Sequence, residues 1–287
     1  MSENQNPPRA STSRQSIPPM AQKITSAANS QIKTLKSLHT KKGRAETGLF
    51  LAEGARLARE AAELGVWPQL LAFSAAALER APVRDLIAAA EARGVRCIET
   101  SEAVLSSVSK RDNPQTVIGA YPQQLAALES LPGALVIALE GVRDPGNLGT
   151  ILRTADAIGA DGVVLVGQSC DPFAVEAVRA SMGSIFAVRL ARTSFATLLD
   201  FARARGASLI GASLKGGSLG ADQPAPARLV LLMGNEQSGL PAEMEAACDQ
   251  LVRIPMRGRA DSLNLAIATA VLAYDLWRRR GYDHAHA

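Results

Sequence analysis

Three stretches of the sequence combine glycine, asparagine and ionisable residues in the manner of ligand-binding loops. The first, ALEGVRDPGNLGTILRTADA (residues 138–157), offers Asn147 and Arg153. Asn147 stands where it can cap the helix expected over Leu148–Ile158, and Arg153 falls two turns into an otherwise apolar helix. A guanidinium near a glycine-lined strand end suits an anion or phosphate clamp. The bland alternative is an arginine that snorkels to the surface. Neither G-x-G-x-x-G nor G-x-x-x-x-G-K-[ST] fits this loop.

The second stretch, LVLLMGNEQSGLP (229–241), runs an apolar strand into Gly234, Glu236 and Gly239. Glycines there would let a flat ligand approach the backbone. Glu236 is either a helix-N-terminal acid of no chemical role or a carboxylate placed over a pocket. The third, RIPMRGRADSLNLAIATAV (253–271), brings Ser262 and Asn264 to the start of the last helix, where both could simply be caps. Singly these signals are weak; their order within one α/β unit is informative.

The residues that are scarce narrow the chemistry. The histidines are His39, His284 and His286, and Cys97, Cys170 and Cys248 are far apart with no C-x-x-C pair. A histidine triad, a zinc-hydrolase centre and a disulfide framework are therefore disfavoured, and no metal is expected. Three isolated cysteines suit a reducing compartment, and a cytoplasmic location is expected. The longest strongly apolar stretch, Leu263–Leu272, is too short to span a bilayer, so no membrane partner is expected.

The elements that must position these loops alternate between strand and helix. A tail over 1–20, rich in Pro and Ser, is expected to be disordered and precedes a first unit over 21–121. Its elements are a basic helix at Asn29–Thr40, strand Leu49–Ala52, helix Glu53–Leu64, strand Gln69–Ser74, helix Pro82–Arg93 and strands Arg96–Glu99 and Thr116–Tyr121. A linker spans 122–132, a second unit 133–281 and a short tail 282–287. The second unit begins with strand Ala134–Leu139, apolar enough to be buried on both faces. Strand Gly162–Val166, helix Phe173–Ser181, strand Phe186–Leu190, helix Phe195–Arg205 and strand Ser208–Ala212 follow. Strands Leu229–Met233 and Leu251–Met256 lead to a closing helix over Ser262–Arg280. The pattern is that of an α/β protein with a parallel sheet covered on both faces.

The 287 residues are 47% hydrophobic and 20% charged, with mean hydropathy +0.06 and net charge +4. Residues 1–60 carry ten Lys/Arg against four acids, a net +6 that leaves −2 for the other 227 residues. A basic end beside a near-neutral body fits a polyanionic partner touched mainly by that end, or a merely solvated charged surface.

N-x-G-x-x-x-R at Asn147–Arg153, G-N-E-x-x-G-L at Gly234–Leu240, and I-P-M followed by S-L-N across Ile254–Asn264 together resemble the SpoU branch of the SPOUT RNA methyltransferases. The resemblance covers about residues 134–280. Residues 21–121, with F-L-A-E-G at Phe50–Gly54, resemble that family's N-terminal substrate-binding domain, a small α/β RNA-binding module. One departure is minor: Asp261 stands where many members have Glu.

The resemblance implies a parallel sheet tied in a deep trefoil knot, a homodimer, and S-adenosylmethionine held by the knotted loops. Leu232, Met233, Gly234, Ile254, Met256, Ser262 and Leu263 would contact the cofactor, largely through backbone groups. Arg153, Asn147, Glu236, Ser262 and Asn264 would form the catalytic set, and the reaction would be methyl transfer to a ribose 2′-hydroxyl of rRNA rather than tRNA. RNA would be held by Lys33, Lys36, Lys41, Lys42, Arg44 and Arg153. The alternatives are a non-catalytic RNA-binding dimer and a nucleotide-dependent oxidoreductase.

Overall fold

A computed structural model describes residues 21–111, 115–218 and 224–282. The expected tail over 1–20, almost all of that over 282–287, and His284 and His286 lie outside the described residues. Among the described residues no helix is long and apolar enough to cross a membrane.

The N-terminal unit is a mixed five-stranded sheet. Its elements run β1 (Gln22–Ile24), α1 (Ser30–Ser37), α2 (Lys41–Thr47), β2 (Leu49–Glu53), α3 (Ala55–Glu63), β3 (Leu70–Ser74), α4 (Ala81–Ala92), β4 (Arg96–Thr100), α5 (Glu102–Ser109) and β5 (Val117–Pro122). The strand order is β1-β4-β3-β5-β2, with β5 antiparallel to both neighbours. One face carries Leu51, Ala72 and Ile98 against α1 and α5; the other carries Leu71, Phe73 and Cys97 against α3 and α4.

The single basic helix expected at Asn29–Thr40 is two helices. Asn29 caps α1, and the Thr40 side chain accepts from Gly43 N to start α2. Gly43 is required because a Cβ there would collide with the backbone of Ser37. Glu53 belongs to β2 and not to the following helix, because Gly54 turns the chain at φ 112°. The sequence reading missed β1 and α5.

The second unit is a parallel sheet with elements β6 (Leu135–Glu140), α6 (Pro145–Ala157), β7 (Gly162–Val166), α7 (Val175–Ser181), α8 (Ser184–Ala187), β8 (Leu190–Thr193), α9 (Phe195–Ala204), β9 (Ser208–Ser218), β10 (Leu229–Met233), α10 (Ala242–Ala247), β11 (Gln250–Arg253) and α11 (Leu265–Arg279). Its strand order is β11-β9-β10-β6-β7-β8. Alternation along β6 decides the layers: Leu135, Ile137 and Leu139 face α6 and α11, whereas Val136 and Ala138 face α9 and α10.

Three corrections bear on the site. Phe186 lies in the one-turn helix α8 and not in a strand, because Met182 and Gly183, both at positive φ, turn the chain just before it. Ile254–Met256 leave the sheet after β11 ends at Arg253. β9 runs well beyond Ala212, and its pairing with β11 jumps from Gly211↔Leu251 to Gly217↔Val252. That jump pushes residues 212–216 out of register as a bulge.

The two sheets share one core. Phe50 and Tyr121 of the first unit pack with Phe173 and Phe186 of the second, ring centroids 4.8–5.9 Å apart. Arg44, expected on RNA, is instead buried in this seam. Its guanidinium lies 2.7 Å from Asp171, and Nη1 donates to Leu38 O at 2.8 Å. A cation so enclosed is not presented to a polyanion at the surface.

Candidate active site

The loops after β6, β10 and β11 meet beyond the carboxyl ends of the strands, where open parallel sheets bind ligands. Asn147 does not cap α6. Asp144 does, accepting from Gly146 N at 2.6 Å, with Pro145 at the first helical position. Asn147 therefore sits inside the first turn, almost fully buried, with its amide free for other partners.

Those partners come from the other two loops. After β10 the chain doubles back: Asn235 and Gly239 exchange backbone hydrogen bonds at 3.1 and 2.9 Å, and Asn235 Nδ2 donates to Gly141 O at 2.6 Å. A Cβ on Gly234 would run into the backbone of Gly239 and Leu240, so this glycine admits its own chain and not a ligand. The folded loop carries Glu236 across to α6. Its carboxylate accepts from Asn147 Nδ2 at 3.3 Å and, more weakly, from the backbone N–H groups of Arg143 and Asp144 at 3.4 Å. Asn147 Oδ1 in turn accepts from Asn264 Nδ2 at 2.8 Å. Asn264 Oδ1 caps α11, accepting from Ala266 N at 2.9 Å. Glu236, Asn147 and Asn264 thus form one relay in which each amide has a single workable orientation.

Arg153 and Ser262 do not join it. Arg153 is exposed on α6 and makes no hydrogen bond or ion pair among the described residues. Among the described residues Ser262 bonds only to Asp261 Oδ1, at 3.3 Å.

Beside the relay lies a cavity of about 480 Å³, within the usual span for small-molecule sites. The β9 bulge, the 234–239 turn, the coil after β11 and the first turns of α11 enclose it. Met233, Gly234, Ile254, Met256, Ser262 and Leu263, read from the sequence as cofactor contacts, line it, and so does Glu236. Leu232 is the exception. It points to the opposite face of the sheet and packs with Val230 and Leu240. The backbone of residues 254–263 forms no backbone–backbone hydrogen bond among the described residues, save the cap carbonyl beyond it, and so leaves donors and acceptors along an apolar wall. Such a wall fits a flat heterocycle held through main-chain groups. Near the site, burial pushes the Cys170 thiol up to about 11, with smaller contributions from Glu236, Asp171 and Asp144 that Arg192 opposes.

Sequence reasoning missed Asn235, although its place in G-N-E, in a tight turn, was the available signal. It also missed Ser213 and Lys215, which reach the cavity through the bulge and bond to Glu245. Among the described residues no group of His, Cys, Asp or Glu could hold a metal ion.

The model of the SpoU rRNA methylase family matches residues 134–274, and that of the MRM3-like substrate-binding domain matches residues 29–119. A 23S rRNA (guanosine(2553)-2′-O)-methyltransferase of Bacillus subtilis is 34% identical over 88% of this chain and 98% of its own length. The chain belongs to the SpoU rRNA methylase family. It is accordingly an RNA methyltransferase, and the oxidoreductase and non-catalytic alternatives fall away. Solved structures agree. The AdoMet-bound rRNA methyltransferase of Sinorhizobium meliloti superposes with TM-score 0.83 at 42% identity, over 90% of this chain and 98% of that one. The SpoU methyltransferase AviRb of Streptomyces viridochromogenes in complex with AdoMet gives TM-score 0.77 at 28% identity, over 88% and 98%.

Proposed function

We propose that this SpoU enzyme methylates a ribose 2′-hydroxyl of ribosomal RNA, with S-adenosylmethionine in the cavity between the β9 bulge and α11. The observation that carries the reading is the Glu236–Asn147–Asn264 relay at the cavity edge. The cofactor would supply an electrophilic methyl group on a sulfonium, and the Glu236 carboxylate on the cavity wall suits that charge.

The chain's own residues position and stabilise. Glu236 lies on the cavity wall and is held by Asn147. A fixed, pre-oriented acceptor beside the reacting hydroxyl lowers the entropy cost of an in-line transfer, an effect worth up to about 7–11 kcal/mol in favourable systems. Arg153, exposed and without a partner among the described residues, is open to an RNA phosphate and can stabilise the forming alkoxide. It is not the base, because a guanidinium presents donors only and has no acceptor to take a proton. The hydroxyl proton leaves to that phosphate or to water. Ser262 completes the set from the cofactor side.

Residues 21–121 form the RNA-binding unit in this reading and 133–281 the methyltransferase unit. Lys33, Lys41 and Lys42, exposed on α1 and α2, and the half-buried Lys36 supply phosphate contacts. The enzyme works as a homodimer in the cytoplasm. Ile267, Val271 and Tyr274 of α11 are 41–51% exposed at one-turn spacing, an apolar stripe that a second copy would cover. The segment after β11 is threaded as a trefoil knot. The test is methyl transfer from labelled donor to purified rRNA and tRNA, with 2′-O-methyl mapping in cells with and without the protein. One rRNA site lost with the protein is expected; a lost tRNA site overturns the target, and no lost site overturns the activity.

A further inference from the structure

One short stretch, Asp171–Arg179, seats the N-terminal unit on the catalytic one. Arg44 of α2 donates from Nε to Asp171 Oδ2 at 2.9 Å, and its side chain is 5% exposed. Phe173 stacks at 5.1 Å on Phe50, and Val175 enters the core of the first sheet beside Ile32, Leu35 and Leu51. Arg179 Nη2 donates to both oxygens of Glu53 at 2.9 Å and to Ser109 O at 3.1 Å. Each unit gives one cation and one anion, so the seam has a single register.

The same stretch is tied to the catalytic loops. Cys170 N donates to Val142 O at 2.7 Å, one residue before Arg143, whose own N–H meets Glu236. Further along, α7 approaches α6 so closely at Gly149 that a Cβ there would strike the backbone of Ala177 and Ser181. α6 carries both Asn147 and Arg153. Domains in one chain move relative to each other unless their interface is large and apolar. Buried ion pairs add geometric register more readily than stability.

We propose that Arg44 is a positioning residue for methyl transfer: its pair with Asp171 fixes the RNA-bearing helix α2 relative to α6 and Glu236. The inference rests on the methyltransferase reading. Lys41 and Lys42 touch RNA from the exposed side of α2, while Arg44 sets where that RNA arrives. A displacement of about 1 Å at such a distance from the chemistry can cost about a hundredfold in rate.

The full-length enzyme is compared with Arg44→Gln, Asp171→Asn and the double variant, using an rRNA fragment and S-adenosylmethionine. Asp171→Asn retains the Oδ1 that accepts from Phe173 N at 2.9 Å, so the local turn survives. In each single variant kcat is expected to fall at least tenfold, with RNA Kd, its salt dependence and cofactor Kd changed less than twofold. The double variant should lose no more than either single one. Unchanged kcat in both singles would overturn the inference. So would weaker RNA binding with a flatter salt slope in Arg44→Gln alone, which would make Arg44 a phosphate ligand. Parallel loss of cofactor affinity would reduce the pair to general stability. Failure of the unsubstituted enzyme to transfer methyl would instead overturn the functional reading itself.

Discussion

Asn264 Nδ2 donates to Asn147 Oδ1 at 2.8 Å across 117 residues of sequence. One side chain therefore does two things: Asn264 Oδ1 caps α11 while its amide nitrogen fixes Asn147, and through it Glu236. Helix capping and site geometry are linked through a single carboxamide.

That linkage can be split by substitution. Asn264→Ala should cost about 0.5–2 kcal/mol of stability through the lost cap, and most of the activity as well. Asn264→Ser should recover the stability, because serine caps nearly as well, yet stay at least tenfold down in kcat because its hydroxyl lacks the reach and the second polar atom needed to hold Asn147. Thermal melts and steady-state rates on the two variants check this. Recovery of activity by serine would show that the relay is only a cap.

Arg153→Lys should abolish most transfer and leave cofactor Kd unchanged. Lysine keeps the charge but lacks the planar fork that holds two oxygens together. Calorimetry with S-adenosylmethionine beside a transfer assay separates the two effects. Full activity in the lysine variant would mean that a point charge suffices.

The Lys41→Gln, Lys42→Gln double variant should flatten the plot of log RNA affinity against log salt by about 1.4–1.8, the expected share of two phosphate contacts. An unchanged slope would place the RNA surface elsewhere.

Much of this architecture was legible because short apolar runs such as Leu135–Leu139 and Leu229–Met233, bounded by Pro132-Gly133 and Gly234, have the length and flanks of strands buried on both faces. The site was legible in part. Asn147, Glu236 and Asn264 were visible as odd polar residues in the loops at strand ends and at the start of the last helix, but their mutual contacts depend on a fold-back at Gly234–Gly239 whose local signal is two glycines and Asn235. Arg44 was misread for a physical reason. It sits among Lys41 and Lys42 in sequence, and only the docking of Asp171, from 127 residues away, buries it. The β9 bulge was hidden for the same reason, since it is a register jump against β11.

The dimer interface is testable without RNA. Val271→Asp places a charge on the exposed stripe of α11, so it should leave the melting temperature of the folded unit little changed while halving the mass seen by light scattering. A variant that remains dimeric would move the interface off that stripe.

The thiols should be slow. Burial pushes Cys170 and Cys248 up to about 11 and Cys97 up to about 12, with nearby carboxylates adding to each. The reactive species is the thiolate, so at pH 8 only about a thousandth of Cys170 is available, and alkylation should quicken about tenfold per pH unit up to pH 10. Reaction of Cys170 at the speed of a free cysteine would contradict the burial assigned to this thiol.

The most direct test of the central claim is where the transferred methyl resides. RNA labelled with methyl-tritiated cofactor is hydrolysed in alkali, which needs a free 2′-hydroxyl at each cleaved position. A 2′-O-methyl group blocks that cleavage, so the label is predicted in an alkali-stable dinucleotide and should be lost from it with Arg153→Lys. Label confined to mononucleotides would mean methylation of a base, and would contradict the ribose chemistry assigned to Glu236, Asn147 and Arg153.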